Sequence, residues 1–399
     1  MRPGMQSLLR VARDQPQPSS HTESEWMDLL ALAEQENVLP WVAARLSCGS
    51  IQVPGAISAS VAAIRRIAIH HGFAWSAALK HMLAAFHHRG IPVISLKGPW
   101  LAERLYGDVA SRAYSDLDLL VRPSDWSAVE IMLAELGFSP VAPSDGCHRR
   151  WRRAGIDIEP HFRLHRPHEF PGDTNDLWNR AQLSEFRGVP AWRLAASDEL
   201  LFLCTHAFRH CFERMSLLLD LAAGFRQFPL PSDMVLSQCG PEAHSALVLS
   251  WMMAARLESA PPLPSIAPDW IASRPHLKKI ADQMWQRCMS RPGCSDWRTS
   301  RRLFVDIERP GWRKSRRWLR YAGKFIRVVF TSLAREDLLF ARRFHLRHPW
   351  QARILRPFRL LVKHFCAPAL AQRDVTLINP IARTLQAEES FFRTKGTAV

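Results

Sequence analysis

The stretch Leu96-Lys97-Gly98-Pro99, followed after a helix-length interval by Ser115-Asp116-Leu117-Asp118-Leu119-Leu120-Val121, decides how this chain reads. Residues 91–96, Ile-Pro-Val-Ile-Ser-Leu, are rich in β-branched side chains and run into Gly98, which predicts a short buried strand entering a tight turn. Pro99 suits a first helical position, and Trp100, Leu101, Arg104 and Leu105 continue a helical period. A glycine at that junction lets phosphate groups approach backbone N–H groups at a helix N-terminus, and Lys97 adds a full positive charge beside it.

The segment Asp116 to Val121 alternates like a strand, so Asp116 and Asp118, two apart, project from one face. Two such carboxylates repel each other unless a cation or proton sits between them, and Mg²⁺ favours hard oxygen ligands together with phosphates. Further on, Gly155-Ile156-Asp157-Ile158-Glu159-Pro160-His161 alternates again. If that strand lies beside the first, Glu159 either completes the metal-binding set or serves as the base that activates an attacking hydroxyl. Pro160, lacking a ladder donor, predicts the strand's edge or end. His161 is expected to meet phosphate or to bond a neighbouring strand. Arg112 is expected to meet phosphate or to pair with an acid, and Ser115 to donate to phosphate or to cap the backbone.

Taken in order, these pieces resemble the nucleotidyltransferase superfamily, and within it the bacterial family labelled an uncharacterised nucleotidyltransferase, found in biosynthetic and surface-polysaccharide gene neighbourhoods. The resemblance rests on Leu96-Lys97-Gly98, Leu101, Leu105-Tyr106, Arg112, Asp116-x-Asp118, Leu136-Gly137-Phe138 and Glu159-Pro160-His161-Phe162-Arg163-Leu164. Downstream, Asp198-Glu199-Leu200-Leu201, His206, His210 and Leu219-Asp220-Leu221 fit its helical second half, and Glu336-Asp337, Pro349 and Leu355 to Leu361 fit its tail, so the likeness spans about residues 25–365. Two departures stand out. Pro99 occupies the place where many nucleotidyltransferases carry Ser, and Pro160 interrupts the third acidic strand.

Charge is the second large clue. Residues 291–364 carry 20 Lys and Arg against 5 Asp and Glu, so this tract holds nearly all of the chain's net +16. Its basic positions interleave with apolar ones, as in Trp318-Leu319-Arg320-Tyr321-Ala322-Gly323-Lys324-Phe325. The favoured reading is a solvated Arg-rich helix packed by its aromatic face. An anionic surface is the next candidate partner, and specific nucleic-acid binding is not expected, because no reader motif accompanies the charge.

The eight cysteines show no C-x-x-C pairing, the residues Met1 to Pro18 hold no apolar core of signal length, and no apolar run approaches about 18 residues. A soluble cytoplasmic protein is expected. There is no G-x-S-x-G and no Walker loop, which argues against a serine hydrolase and a P-loop ATPase. His206 and His210, at i and i+4, lack the Glu of a zincin motif; they are expected to brace a helix interface with Asp220 as partner.

The expected fold is α+β: a small mixed-sheet nucleotidyltransferase core flanked by helices, with a large all-helical C-terminal part. Its divisions are a disordered lead (1–22), an N-terminal helical cover (23–89) with one helix interrupted near Gly72, the core (90–165), a helical domain (166–308) and a basic, mostly helical tail (309–399). The resemblance implies transfer of a nucleoside monophosphate from a nucleoside triphosphate to an acceptor (peptide, sugar, metabolite or protein). It places Asp116, Asp118 and Glu159 as catalytic and metal-binding, and Lys97, Gly98, Arg112, Ser115 and His161 on the nucleotide. Mg²⁺ is the expected ion, with Mn²⁺ the alternative. The competing expectation is a catalytically degenerate member of the same fold serving as a binding or assembly module.

Overall fold

The computed structural model describes residues 2–257, apart from Ser19, Ser50, 142–146, 166–169, 171 and 172, together with residues 274–290 and Ala272, Leu303 and Ile307. The basic tail lies outside the described residues. The fold is α+β, built on one mixed sheet of seven strands in the order β3-β4-β5-β2-β1-β7-β6. These are β1 (Val93–Ser95), β2 (Asp116–Val121), β3 (Ser139–Pro140), β4 (Trp151–Arg153), β5 (Ile156–His161), β6 (Gln182–Phe186) and β7 (Val189–Arg193).

Helices α1 (Met5–Ala12), α2 (Glu23–Gln35), α3 (Leu39–Ser47) and α4 (Gly55–His88) precede the sheet. A capping box between Thr22 and Glu25 starts α2; Asn37, at φ 57, then turns the chain, and Pro40 enters the first turn of α3. Two expectations fail here. Residues 5–12 of the supposed disordered lead form a helix because Met5, Leu8, Leu9 and Ala12 share one face, all buried. Arg2 also pairs at 2.6 Å with the fully buried Glu36, which accepts from the Met215 backbone N–H as well. Nor does α4 break at Gly72. A Cβ there would stand 3.1 Å from the Val109 carbonyl, so this glycine permits a close approach to the turn at 109–111.

The alternation of β2 sorts its side chains between two layers. Leu117, Leu119 and Val121 join Ile158 and Trp151 in a core closed by Leu79, Met82, Leu83 and Phe86 of α4 and by Val129, Met132 and Leu133 of α6 (Trp126–Glu135). On the opposite face Leu120 packs with Ile94, Leu96 and Leu164, under Trp178 of α7 (Thr174–Arg180) and Phe202 of α8 (Ala196–Arg209).

The core sheet extends past residue 165. The hairpin β6–β7 joins it through parallel pairing of Ile94 with Trp192, so strands interrupt the region expected to be all helical. From α8 the chain is helical, with α9 (Met215–Gln227), α10 (Asp233–Leu257, kinked at Gly240) and α11 (His276–Ser290). Buried ion pairs tie this part to the sheet side. Arg104 of α5 (Pro99–Tyr106) meets Glu199, while Arg180 forks onto Asp198 at 2.8 and 2.9 Å. Among the described residues, no helix is long and apolar enough to cross a membrane.

Candidate active site

β1 ends where Gly98 adopts φ 78 and ψ −150, a conformation that favours glycine, and the chain turns directly into α5 with Pro99 in its first turn. A Cβ at Gly98 would lie 3.4 Å from Leu117, so the turn packs against the start of β2. The N–H groups opening α5 therefore sit at the end of β2 that carries the two aspartates.

β2 and β5 run parallel, with Asp116 opposite Asp157 and Asp118 opposite Glu159. That register puts four acidic residues on one face of adjacent strands. Lys97 reaches in from the turn, with Nζ 2.9 Å from Asp118 Oδ2, and His161 Nε2 stands 2.9 Å from Asp118 Oδ1. Only 2% of Asp118 is exposed. Burial alone would raise its pKa, but Lys97 and the bond from His161 hold its carboxyl well below the usual carboxylate range. Asp116 behaves oppositely. Burial first, and then the negative charge of Asp118, push it up to about 6 against the pull of Lys97.

The hairpin β4–β5 supplies a basic strip that the sequence reading missed. Arg152 forks onto Asp157 at 2.5 and 2.6 Å, Arg150 Nε meets Glu159 Oε1 at 2.5 Å, and His148 bridges His161 with rings stacked at 4.6 Å. His148 Nε2 is also 3.4 Å from Glu159 Oε2. Among the described residues, the trio whose ligand atoms all fall within 4.8 Å of one another is His148, Glu159 and His161, rather than the three carboxylates expected. The reason is that Arg150 and His148 hold Glu159 toward β4. Pro160 is the next-to-last residue of β5, which is an interior strand; it lies beyond the last rung shared with β4, Trp151 with Ile158.

The other expected site residues separate. Arg112 takes the structural option: its Nε contacts both carboxylate oxygens of Asp220, at 3.2 and 3.0 Å, and the Tyr106 hydroxyl donates to the same carboxylate at 2.7 Å. Burial would lower the Arg112 pKa, but Asp220 and Tyr106 raise it. Asp220 is thus engaged by α5 and the turn before β2, and the expected link to His206 and His210 is replaced by a mutual ring contact of 4.6 Å. Burial followed by the nearby Lys97 charge depresses both histidines, His210 to about 4. Ser115 is exposed immediately before β2.

The family profile described as uncharacterised nucleotidyltransferase matches residues 22–256, and the chain belongs to that family. No curated protein matches. Among solved structures, an antigenic nucleotidyltransferase-like protein from Paracoccidioides brasiliensis is 14% identical, with 52% of this chain and 92% of that chain covered and a TM-score of 0.33. The antibiotic-resistance factor ANT(2'')-Ia is 12% identical in a solution structure, with 54% of this chain and 97% of that chain covered and a TM-score of 0.28. A crystal structure of ANT(2'')-Ia with adenylyl-2''-tobramycin is 14% identical, with 53% and 97% covered and a TM-score of 0.25.

Proposed function

We propose that this nucleotidyltransferase moves a nucleoside monophosphate from a nucleoside triphosphate to an acceptor, with Asp116, Asp118 and Glu159 as its acidic machinery. The observation that carries the reading is the parallel register Asp118 opposite Glu159, beside the Lys97-Gly98 turn. A divalent cation fits this donor set. The face gathers hard oxygen donors, and Asp116 is held near 6 by burial and by its neighbour, which is how a carboxylate behaves when positive charge is short. Asp116 and Asp118 would hold Mg²⁺, or Mn²⁺, with Glu159 assisting from β5. When bound, the ion offsets charge on the phosphate oxygens.

The remaining work falls to the chain itself. The free N–H groups in the first turn of α5 donate to the triphosphate's oxygens at a helix N-terminus, where Gly98 allows close approach. Lys97 adds charge on the same side, and its contact with Asp118 keeps the ammonium aimed at the site. His161, bonded to Asp118, fixes that carboxylate's orientation. An acceptor oxygen or nitrogen then bonds to the α-phosphorus, the bond to the β-phosphate oxygen breaks, pyrophosphate leaves, and the acceptor's proton passes to solvent. Ser115 and Arg112 flank the entrance to β2, and Arg112 acts through Asp220 and Tyr106 rather than on the phosphates.

A second reading is favoured by one observation: Asp118 and Glu159 already have partners, the cations Lys97 and Arg150 and the rings of His161 and His148. In that reading the pocket binds nucleotide without transfer, and the helical part is an assembly surface. Purified full-length protein with Mg²⁺ and ATP, GTP, CTP or UTP separates the two. Pyrophosphate release that is lost in Asp116→Asn with Asp118→Asn supports transfer. Nucleotide binding with no release across a broad acceptor panel supports the binding module, and absence of both sinks the two together.

A further inference from the structure

We propose that the cavity between the exit of β5 and helices α7, α8 and α10 is the acceptor site, and that it selects a small molecule with an apolar, ring-sized body carrying hydroxyl or amine groups. This inference rests on the transfer reading above. The cavity measures about 350 Å³, at the lower end of small-molecule sites and too small to enclose a folded partner or a polysaccharide chain.

Two contacts join it to the carboxylate face. Phe202, which forms part of its wall, has Lys97 Nζ 6.0 Å from its ring centroid. His165, another lining residue, stands four residues after His161, whose Nε2 is 2.9 Å from Asp118. A molecule in the cavity is therefore next to the phosphate turn without occupying it.

The lining sets the class. Phe170, Phe202, Leu177 and Leu201 offer an apolar surface for a ring. Behind that surface lies one buried polar pair, Thr205 and His165. The Thr205 hydroxyl lies 2.9 and 3.0 Å from the carbonyls of Leu201 and Phe202, so its hydrogen is spent on the helix and its oxygen accepts from His165 Nε2–H at 3.0 Å. Burial pushes the His165 pKa down to about 3, so the ring is neutral and Nδ1 is a bare acceptor, buried with no hydrogen-bond partner. Asp176, which lines the cavity, offers an acceptor for a hydroxyl or amine of the ligand. The acceptor thus carries one donor for recognition and one nucleophile that bonds to the α-phosphorus as pyrophosphate departs and its proton goes to solvent.

The test uses the full chain with Mg²⁺ and whichever triphosphate it binds, and reads pyrophosphate release with tyrosol, tyramine, the methyl ethers of both, maltose and a tripeptide. Tyrosol or tyramine should stimulate release with saturation, and their phenolic methyl ethers should do so less well. Gln238→Trp, at an exposed position of the cavity rim, and Cys239→Trp should each raise the acceptor KM by about tenfold or more. If Cys239→Trp, at a half-buried position, lowers the melting temperature, the rim variant decides. An unchanged KM in Gln238→Trp, stimulation by maltose or the tripeptide alone, or stimulation by none of the panel overturns the inference. So does a parallel loss of triphosphate affinity in Gln238→Trp, which assigns the cavity to the nucleobase. Failure of the underlying transfer reading shows separately, as absence of all pyrophosphate release in the unsubstituted protein, basal release to water included, whether or not triphosphate binds.

Discussion

The two faces of β2 are built from one hexapeptide and behave as two different materials. Leu117, Leu119 and Val121 enter a dry core beneath α4 and α6, where every neighbour is apolar. Asp116 and Asp118, interleaved with them, gather with Lys97 and His161, while Leu120 on the same side packs with Ile94, Leu96 and Phe202. The sealed face supplies stability that the acidic face consumes: gathering like charges in a poorly hydrated place costs free energy, and only a rigid strand keeps them there. The difference teaches that the site's precision comes from the layer behind it.

The sharpest way to break this comparison is to neutralise the acidic face alone. Asp116→Asn with Asp118→Asn should lower pyrophosphate release by about a thousandfold or more, with only a modest change in melting temperature, because relief of repulsion at Asp116 opposes the loss of the Lys97 and His161 partner at Asp118. Retained release in a folded double variant would falsify the assignment. On the sealed face, Leu119→Ala leaves a cavity among fully buried neighbours and should cost about 3 kcal/mol in denaturant unfolding. A loss of release without a loss of stability there would mean that the two faces are not separable. Third in size, Asp220→Asn removes the charge shared by Arg112 and Tyr106 and should cost about 2 kcal/mol, with triphosphate affinity retained. Weakened triphosphate binding out of proportion to unfolding would return Arg112 to the nucleotide.

The smallest expected effect is a pH dependence on the sealed side. His71 packs beside Trp75 and Tyr114, and burial depresses its pKa to about 4. Because the unfolded chain protonates near 6.5, it binds more protons than the native state below that pH. The stabilisation is fully present above about 6.5 and is lost as pH falls toward 4. His71→Phe should flatten that part of the pH profile of the melting temperature. A profile identical to the parent protein's would assign the acid sensitivity to other groups.

Much of the central sheet was legible because its signals are local. Asp116-x-Asp118 reads as one face from strand periodicity, and Gly98 followed by Pro99 reads as a strand-to-helix turn from backbone chemistry alone. Other features needed the third dimension or a pattern passed over. Ala154 and Gly155, at φ 45 and 81, form a two-residue hairpin turn that folds His148, Arg150 and Arg152 back onto His161, Glu159 and Asp157. That reflection about Ala154-Gly155 is written in the sequence, although Ala is an unusual residue at positive φ and hides it. The helix at 5–12 was masked by the Pro, Gln and Ser composition that follows it, and Gly72 looked like a break because close helix-to-turn packing leaves no local mark.

By itself the sequence determined the chemistry on offer: which strands carry acids, where a phosphate turn can form, and the α+β class. Local periodicity and backbone preference are properties of neighbouring residues, so they survive without knowledge of the fold. Only the tertiary structure decided which charges meet. Asp220 chose Arg112 and Tyr106 over the helix histidines, Glu159 chose Arg150 and His148, and the hairpin β6–β7 came back to the edge of β1. Each of those choices depends on distances between segments far apart in the chain, where desolvation and Coulomb energy, rather than local pattern, set the partner.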